Sequence, residues 1–287
     1  MIAPDVITEV YLDTMTPPAL GSCQMVNADI CSAADAMIAC KDMDVIVHLA
    51  ACTGIAPSLE NPRFDCETNV FGTLNYLEAA RMNGVSHFIF ASSGATVGEV
   101  NPPITETLPA RPVSPYGASK LAGEGYCSAY FRSFGIKTVA LRFGNVYGPG
   151  STHKASVVAK FIKRAISGKP IHIYGDGSQT RDFIYISDLV DAILRATEAE
   201  EVGGEIFQIA TSNETSVGTI TMALQDILSR KGIANVEVHN EAVRMGDVKR
   251  NYADVSKAKS LLGWEAETTL EVGLIATVDF FLKNELK

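Results

Sequence analysis

The sequence lacks the patterns that mark metal sites, disulfide frameworks and membrane spans. Its six cysteines include no C-x-x-C pair, and its five histidines show no H-x-x-x-H or H-E-x-x-H spacing. We therefore expect reduced thiols and no bound metal. No apolar run reaches the roughly 18 residues of a membrane helix. The first residues have neither the basic region nor the apolar core of a signal peptide. These absences predict a cytoplasmic protein without membrane contact.

Basic residues are scarce as well. The chain has 24 Lys and Arg against 33 Asp and Glu, a formal net charge of −9. This balance argues against nucleic acid as a partner, although it is compatible with a local basic pocket for a phosphate. With 287 residues, 47% of them hydrophobic, the chain is long enough to form a large core and a smaller lobe.

Short apolar runs alternate along the chain with longer amphipathic segments. The runs predict strands, and the amphipathic segments predict helices, one of which should end at Gly84 and another should be capped by Ser187. The strands are predicted over 44–51, 86–93, 137–148, 170–177 and 205–210, and the helices over 69–84, 115–134, 154–167, 187–199, 216–231, 256–262 and 270–284.

Such alternation predicts a doubly wound α/β fold, a parallel sheet with helices on both faces of the Rossmann-like type. We expect 1–150 and 182–212 to form this domain, and 151–181 and 213–287 to form a smaller substrate lobe. Ligands of such sheets bind beyond the carboxyl ends of the strands. Polar or glycine-rich residues follow three predicted strands there, in "HLAACTG", "ASSGATVG" and "RFGNVYGPG".

The segment "PVSPYGASKLAGEGYCSAYF" (112–131) carries the candidate chemistry. Ser114 suits an N-cap and Pro115 the first helical position, so Tyr116 and Lys120 should share one helical face. An ammonium beside a phenol lowers the phenol pKa, and the phenolate could then take a proton from an alcohol. A tyrosine and a lysine at this spacing are also common on an ordinary solvated helix face. Ser92 and Ser93, at a predicted strand end, could share a substrate proton or simply form a turn.

Seven motifs in order resemble the extended short-chain dehydrogenase/reductases, over about residues 29 to 280. The similarity is to their NAD-dependent sugar-nucleotide epimerase/dehydratase branch, the group of UDP-glucose 4-epimerase. The motifs are "HLAA", "NVFGTLNYLEAA", "FASSGATVG", "SPYGASKLAGE", "LRFGNVYGPG", "IYGDGSQTRDFIYISDLVDAI" and "GDVKRNYADVSKAKSLLGW".

The resemblance implies roles for individual residues. Tyr116 matches the catalytic base, Lys120 the lysine that holds the nicotinamide ribose, and Ser93 the residue that hydrogen-bonds the reacting hydroxyl. The further matches to the NAD site are Asp13, Asp29, Ile30, Leu49, Ala50, Ala51 and Asn69. The matches to the site for a nucleotide-diphosphate sugar are Asn145, Arg181, Arg244, Asp247 and Asn251. The planar forks of Arg181 and Arg244 suit phosphate oxygens, although either could instead form a surface salt bridge.

Two departures from the family pattern bear on function. Dehydratases and decarboxylases of this branch place acidic residues after the Ser/Thr, whereas this chain has Gly94 and Ala95, which carry no proton. The glycine-rich dinucleotide fingerprint expected near the N-terminus is also absent from the sequence. We expect one strand–helix unit to be missing, through a late start or natural variation, and NAD binding to be weak.

The resemblance thus implies NAD-dependent 4-epimerisation of a nucleotide-diphosphate sugar, UDP-glucose/galactose or an N-acetylated form. Asn251 stands where the family places a residue beside the C2 substituent. A sugar-nucleotide dehydrogenase or reductase, or a non-catalytic sugar-nucleotide-binding protein, is the alternative. A homodimer through helices 69–84 and 115–134 is expected, because the small residues Ala118, Ala122 and Gly123 would let the second helix approach a neighbour closely. Alternatively, these residues only accommodate the chain's own sheet.

Overall fold

A computed structural model of the chain describes residues 26–152, 156–243 and 248–285. The described α-helices are α1 (Ala33–Ala39), α2 (Ile55–Glu60), α3 (Pro62–Cys66), α4 (Gly72–Asn83), α5 (Pro115–Phe134), α6 (Val157–Ile166), α7 (Ile186–Glu198), α8 (Val217–Arg230), α9 (Ser256–Leu262) and α10 (Leu270–Glu285). The strands are β1 (Val45–His48), β2 (His87–Ser93), β3 (Lys137–Phe143), β4 (Asn145–Tyr147), β5 (Ile171–Tyr174), β6 (Thr180–Arg181), β7 (Phe183–Tyr185), β8 (Glu205–Ile209), β9 (Thr215–Ser216) and β10 (Val238–Glu241).

The central sheet has the order β1-β2-β3-β8, and all of its neighbouring strands are parallel. One face packs on α4 and α5, through side chains such as Leu77, Phe90 and Tyr130. The other face packs on α7, on α9 and on the residues that follow α9, where Trp264 is fully buried. Apolar side chains on both faces are what a buried parallel sheet requires. The predicted parallel α/β fold is therefore confirmed.

A second apolar cluster joins α6, α8 and α10 to β5 and β7. Its members are spaced along each helix so that one face is apolar, as in Val217, Ile220 and Leu224 of α8. β5 pairs in parallel with β10, and β6 pairs antiparallel with β9. No helix in the described ranges combines the length and the apolar character needed to cross a membrane.

The element boundaries follow the local sequence signals with a few exceptions. Gly84 ends α4 in the left-handed conformation, as predicted. Ser187 does not cap α7, because the helix begins at Ile186 with Tyr185 as the N-cap. The predicted strand 137–148 is divided at Gly144, so that β4 leaves the central sheet and pairs with β7. The polar strand β10 was not predicted, since most of its side chains are exposed and it has no apolar pattern.

Candidate active site

The carboxyl ends of β1, β2 and β3 meet at one edge of the central sheet. β2 ends at Ser93 and runs directly into a 3₁₀ turn, Gly94–Thr96. The Ser93 hydroxyl accepts a hydrogen bond from the Ala95 amide at 3.2 Å, which holds this turn against the strand end. In the sheet register Ser93 pairs with Phe143, two residues before Asn145. Ser93 and Asn145 therefore lie at the same edge.

The N-terminus of α5 is built to pack on that turn. The Ser114 hydroxyl accepts a hydrogen bond from the Gly117 amide at 3.1 Å, and Pro115 occupies the first helical position. Gly117 has no room for a side chain, because a Cβ there would lie 2.4 Å from the Ala95 carbonyl oxygen. This close approach brings Tyr116 to Ser93, and a side-chain hydrogen bond links the two residues.

The protonation of Tyr116 differs from the sequence-based expectation. We expected the Lys120 ammonium to lower the pKa of the Tyr116 phenol. In the structure the pKa of Tyr116 is raised, first because burial disfavours the phenolate, and also because the Asp65 carboxylate repels it. The hydrogen bond with Ser93 opposes this rise. The expected direction was wrong because helical spacing carries no information about solvation.

Lys120 lies one turn beyond Tyr116 and is 3% exposed. Its ammonium donates to the Ala91 carbonyl oxygen at 2.8 Å and lies 4.9 Å from the centre of the Phe90 ring. Burial lowers the pKa of Lys120 to about 8, while the Asp65 carboxylate acts in the opposite direction. An ammonium has three N–H groups. Among the described residues, the Lys120 ammonium donates to the Ala91 carbonyl alone, so its remaining N–H groups suit the hydroxyls of a ribose.

Asn69 connects the end of β1 to α5. Its side chain is buried and accepts from the Cys52 amide at 2.8 Å. Its amide group donates to the Cys52 carbonyl, to an Asp65 oxygen and to the Ser119 hydroxyl, at 3.0, 3.0 and 3.1 Å. The Ser119 hydroxyl in turn donates to the Tyr116 carbonyl at 3.0 Å. Asn69 therefore holds the start of α5, and with it Tyr116, against the strand that precedes Cys52.

Sequence reasoning missed an ion pair behind these residues. Arg142 of β3 donates to both carboxylate oxygens of Glu124 on α5, at 2.7 and 2.8 Å. Both side chains are at most 3% exposed. The Ser92 hydroxyl donates to the same carboxylate at 2.5 Å. Ser92, the other serine considered from the sequence, thus faces Glu124, whereas Ser93 contacts Tyr116. No short-range motif links these three positions.

Asp65 was also missed. It is 2% exposed and lies on α3, four residues before Asn69. This i, i+4 spacing on a helix was the available signal, since residues so spaced share a face. The chain between them is α-helical and then π-helical, over Glu67–Phe71.

Three of the residues assigned to the dinucleotide directly follow β1. Leu49 follows this strand and is 55% exposed, and Ala50 and Ala51 come next. Such small and apolar side chains fit the flat faces of a dinucleotide. Asp29 and Ile30 precede α1, and the Ile30 side chain packs on Gly72, where a Cβ would lie 2.7 Å from it. Asp13 lies outside the described residues.

The residues assigned to the sugar nucleotide are only partly described. Asn145 is exposed, and its backbone N–H donates to the Asp182 carbonyl at 2.7 Å. The Arg181 guanidinium donates to the Val248 carbonyl at 2.7 Å, so β6 runs beside the segment that leads to Asn251. Asn251 is half-buried. Arg244 and Asp247 lie outside the described residues.

Comparison with known proteins identifies the family. The profile of the NAD dependent epimerase/dehydratase family matches residues 7–210, more than half of the chain. The UDP-glucose 4-epimerase of Mycolicibacterium smegmatis is 36% identical over 263 residues, which are 90% of this chain and 82% of that protein. Other relatives are named UDP-glucuronate 4-epimerase and dTDP-glucose 4,6-dehydratase.

Solved structures agree with this. The UDP-glucose 4-epimerase of Thermotoga maritima, determined with UDP-glucose, matches with a TM-score of 0.85 and 36% identity, covering 91% of this chain and 85% of that one. The Thermus thermophilus UDP-glucose 4-epimerase, determined with NAD, matches with a TM-score of 0.83 and 34% identity, covering 90% and 84%. The chain belongs to the NAD-dependent epimerase/dehydratase family of the short-chain dehydrogenase/reductases.

Proposed function

We propose that the protein interconverts the C4 epimers of a nucleotide-diphosphate sugar by transient oxidation at C4. The observation that carries the proposal is the grouping of Ser93, Tyr116 and Lys120 at the end of β2, in a chain where Gly94 and Ala95 follow the serine. Glycine and alanine cannot move protons on the sugar ring. This favours an epimerase over the dehydratases among the relatives.

The proposed roles follow from the contacts. NAD, when bound, supplies an acceptor for the C4 hydride and a donor for its return. The Tyr116 phenolate takes the proton of the C4 hydroxyl, and the Ser93 hydroxyl holds that hydroxyl in place. Lys120, whose ammonium donates to the Ala91 carbonyl oxygen, would bind the nicotinamide ribose and offer a positive charge one helical turn from Tyr116. After the keto-sugar has turned, the hydride would return to C4 and Tyr116 would return its proton to the C4 oxygen, so the cycle has no net redox change.

The proposed substrate is a UDP-sugar. Asn145 at the sheet edge and Arg181 of β6 would contact its diphosphate, with Arg244 and Asp247 completing the site. Asn251 would lie beside the C2 substituent, where a side chain smaller than tyrosine leaves room for an N-acetyl group. Dinucleotide contacts are proposed for Asp13, Asp29, Ile30, Leu49 and Asn69 as well as for Lys120.

The test is a turnover assay with NAD and either UDP-glucose or UDP-N-acetylglucosamine. Formation of the C4 epimer is followed by proton NMR, and reduced nicotinamide by its absorbance. We expect the epimer without net reduction of NAD. Accumulation of reduced cofactor equal to product would instead show a dehydrogenase.

The Tyr116→Phe variant tests the catalytic assignment. Removing the phenol hydroxyl takes away the general base and leaves the ring, so turnover should fall by about 10²- to 10⁴-fold while UDP-sugar affinity stays nearly unchanged. Tyr126→Phe, the same change at an exposed position of α5, is the matched control and should behave like the parent. Turnover of Tyr116→Phe within a factor of about three of the parent would exclude Tyr116 as the base.

A further inference from the structure

Asp65 is a buried carboxylate without a role in the proposed chemistry. It is 2% exposed, and one of its oxygens accepts a hydrogen bond from the Asn69 amide at 3.0 Å. Its other oxygen, Oδ1, has no hydrogen-bond partner among the described residues. Burying a carboxylate costs several kcal/mol unless charges or hydrogen bonds compensate it. One neutral amide is a small compensation, so a nearby cation is expected to stabilise this carboxylate.

Lys120 is a buried cation that directly follows Ser119 on α5, and the Asn69 side chain joins Ser119 to Asp65. The Asp65 carboxylate stabilises the Lys120 ammonium and destabilises the phenolate of Tyr116. Two other titratable groups act electrostatically with Lys120, His48 from β1 and Cys127 from α5. Burial lowers the pKa of His48 to about 3 and raises the pKa of Cys127 well above its usual value, so both are neutral near pH 7.

The remaining charged and titratable groups around the site add little net charge. Burial and the Asp65 carboxylate raise the pKa of Cys52, which stays a neutral thiol. Glu124 acts on Cys127, but its charge is balanced by Arg142 at 2.7 Å. Among the described residues, the Asp65 carboxylate is therefore the uncompensated negative charge next to the Tyr116–Lys120 pair.

The position of Asp65 is determined by several contacts. Asn61 caps α3 by accepting from the Phe64 amide at 3.1 Å, and the Asp65 amide donates to the Asn61 carbonyl at 3.1 Å. The Asn69 side chain bridges Asp65 to Ser119, which contacts the Tyr116 carbonyl. A movement of the carboxylate would disturb this chain of hydrogen bonds, so its distance from α5 is well defined.

We propose that Asp65 is a positioning residue of the active site, whose buried carboxylate keeps Lys120 positively charged and, through Asn69 and Ser119, holds the first turn of α5. This inference rests on the proposed function only for its kinetic consequence. The contacts that join Asp65 to the first turn of α5 through Asn69 and Ser119 are present whether or not the chain turns over a sugar nucleotide.

The proposed effect of the Asp65 charge on Lys120 and Tyr116 predicts a distinctive pH dependence of turnover. Replacing Asp65 by asparagine keeps the shape and removes the charge. The pKa of Lys120 should fall, because the ammonium loses a stabilising charge, and the pKa of Tyr116 should fall, because the phenolate loses a repelling one. Turnover needs the phenolate, which exists above its pKa, and the ammonium, which exists below its pKa. Both limbs of the pH–rate profile should therefore move to lower pH, by about one unit.

The kinetic experiment compares the pH profiles of kcat for the parent, Asp65→Asn and Asp65→Glu. We expect Asp65→Asn to shift both limbs downward and Asp65→Glu, which keeps the charge, to leave them near the parent values. Asp191→Asn, the same change in a surface pair with Arg195, is the control and should shift neither limb. A lower kcat in Asp65→Asn with unmoved limbs would overturn the proposal, since that is the result of a merely structural role.

A second measurement needs no turnover. The phenol groups are titrated with base and followed by their ultraviolet absorbance. Subtracting the titration of the Tyr116→Phe variant from that of the protein with Tyr116 isolates the Tyr116 phenol among the nine tyrosines. This difference is measured once with Asp65 present and once with Asp65→Asn, where the Tyr116 phenol should titrate about one pH unit lower. If the protein fails to epimerise, this titration still decides the proposal, and an unchanged phenol would overturn it. If Asp65→Asn does not fold, Asp65→Ser allows the same comparison.

Discussion

Replacing Arg142 by leucine should destabilise the protein severely. Arg142 and Glu124 are 3% and 2% exposed, and Arg142 supplies two of the three hydrogen bonds that the Glu124 carboxylate accepts. In Arg142→Leu that carboxylate stays buried with Ser92 as its remaining donor. Removing one partner of a buried ion pair costs about 3–5 kcal/mol. For a chain of this size the loss corresponds to a decrease in Tm of roughly 10 °C.

The assay is urea unfolding followed by circular dichroism, with the free energy of unfolding compared between variants. The double variant Glu124→Met/Arg142→Met removes both charges and should recover at least about 2 kcal/mol relative to Arg142→Leu, because apolar replacements of a buried pair are often tolerated. Arg63→Leu breaks an exposed pair with Glu67, where the Arg63 side chain is 88% exposed, and should cost less than about 1 kcal/mol.

A cost below about 1 kcal/mol for Arg142→Leu would refute this reasoning, because the carboxylate would then have found another partner or lost its charge at little cost. The result also bears on the active site. Ser92 is adjacent to Ser93, and Glu124 lies one turn beyond Lys120, so the ion pair fixes β2 relative to α5 at the point where these two elements present the reacting groups.

Two further predictions concern α5. Gly123→Ala should destabilise the fold by about 1–3 kcal/mol, because the new Cβ would lie 2.3 Å from the Phe90 ring. Gly125→Ala, whose Cβ would have no atom within 4 Å, should stabilise the fold by up to about 1 kcal/mol. Thermal unfolding compares the two variants directly, and equal effects would contradict the packing argument. Gly123 was wrongly assigned to a dimer contact, because it is buried against Phe90 of the chain's own sheet. We still predict a homodimer through α4 and α5, which expose Met82 and Phe134. Light scattering giving a mass near 30.7 kDa at micromolar concentration would contradict it.

Much of the frame could be predicted from the sequence because its signals are local. Ser114 and Pro115 begin α5, Gly84 ends α4, and apolar runs such as "FIFA" become central strands. The common helical face of Tyr116 and Lys120 follows from their spacing. A cap residue acts on backbone groups within one helical turn, so the local sequence is sufficient to predict it. The failed cap at Ser187 has a tertiary cause, because Tyr185 ends β7 and the chain turns directly into α7.

The charge state of the site could not be predicted in this way, because it depends on groups that are distant along the chain. Lys120 is influenced by Asp65, which is 55 positions earlier, and by burial against β2. Spacing predicts which side chains share a face, but the sign of a pKa shift depends on whether desolvation or a neighbouring charge dominates. At Tyr116 desolvation dominates, so the isolated phenol is a weaker acid than the sequence suggested. In the proposed reaction, the positive charges of Lys120 and of bound NAD would together lower that pKa, and the proposed role of the Asp65 carboxylate is to keep Lys120 charged.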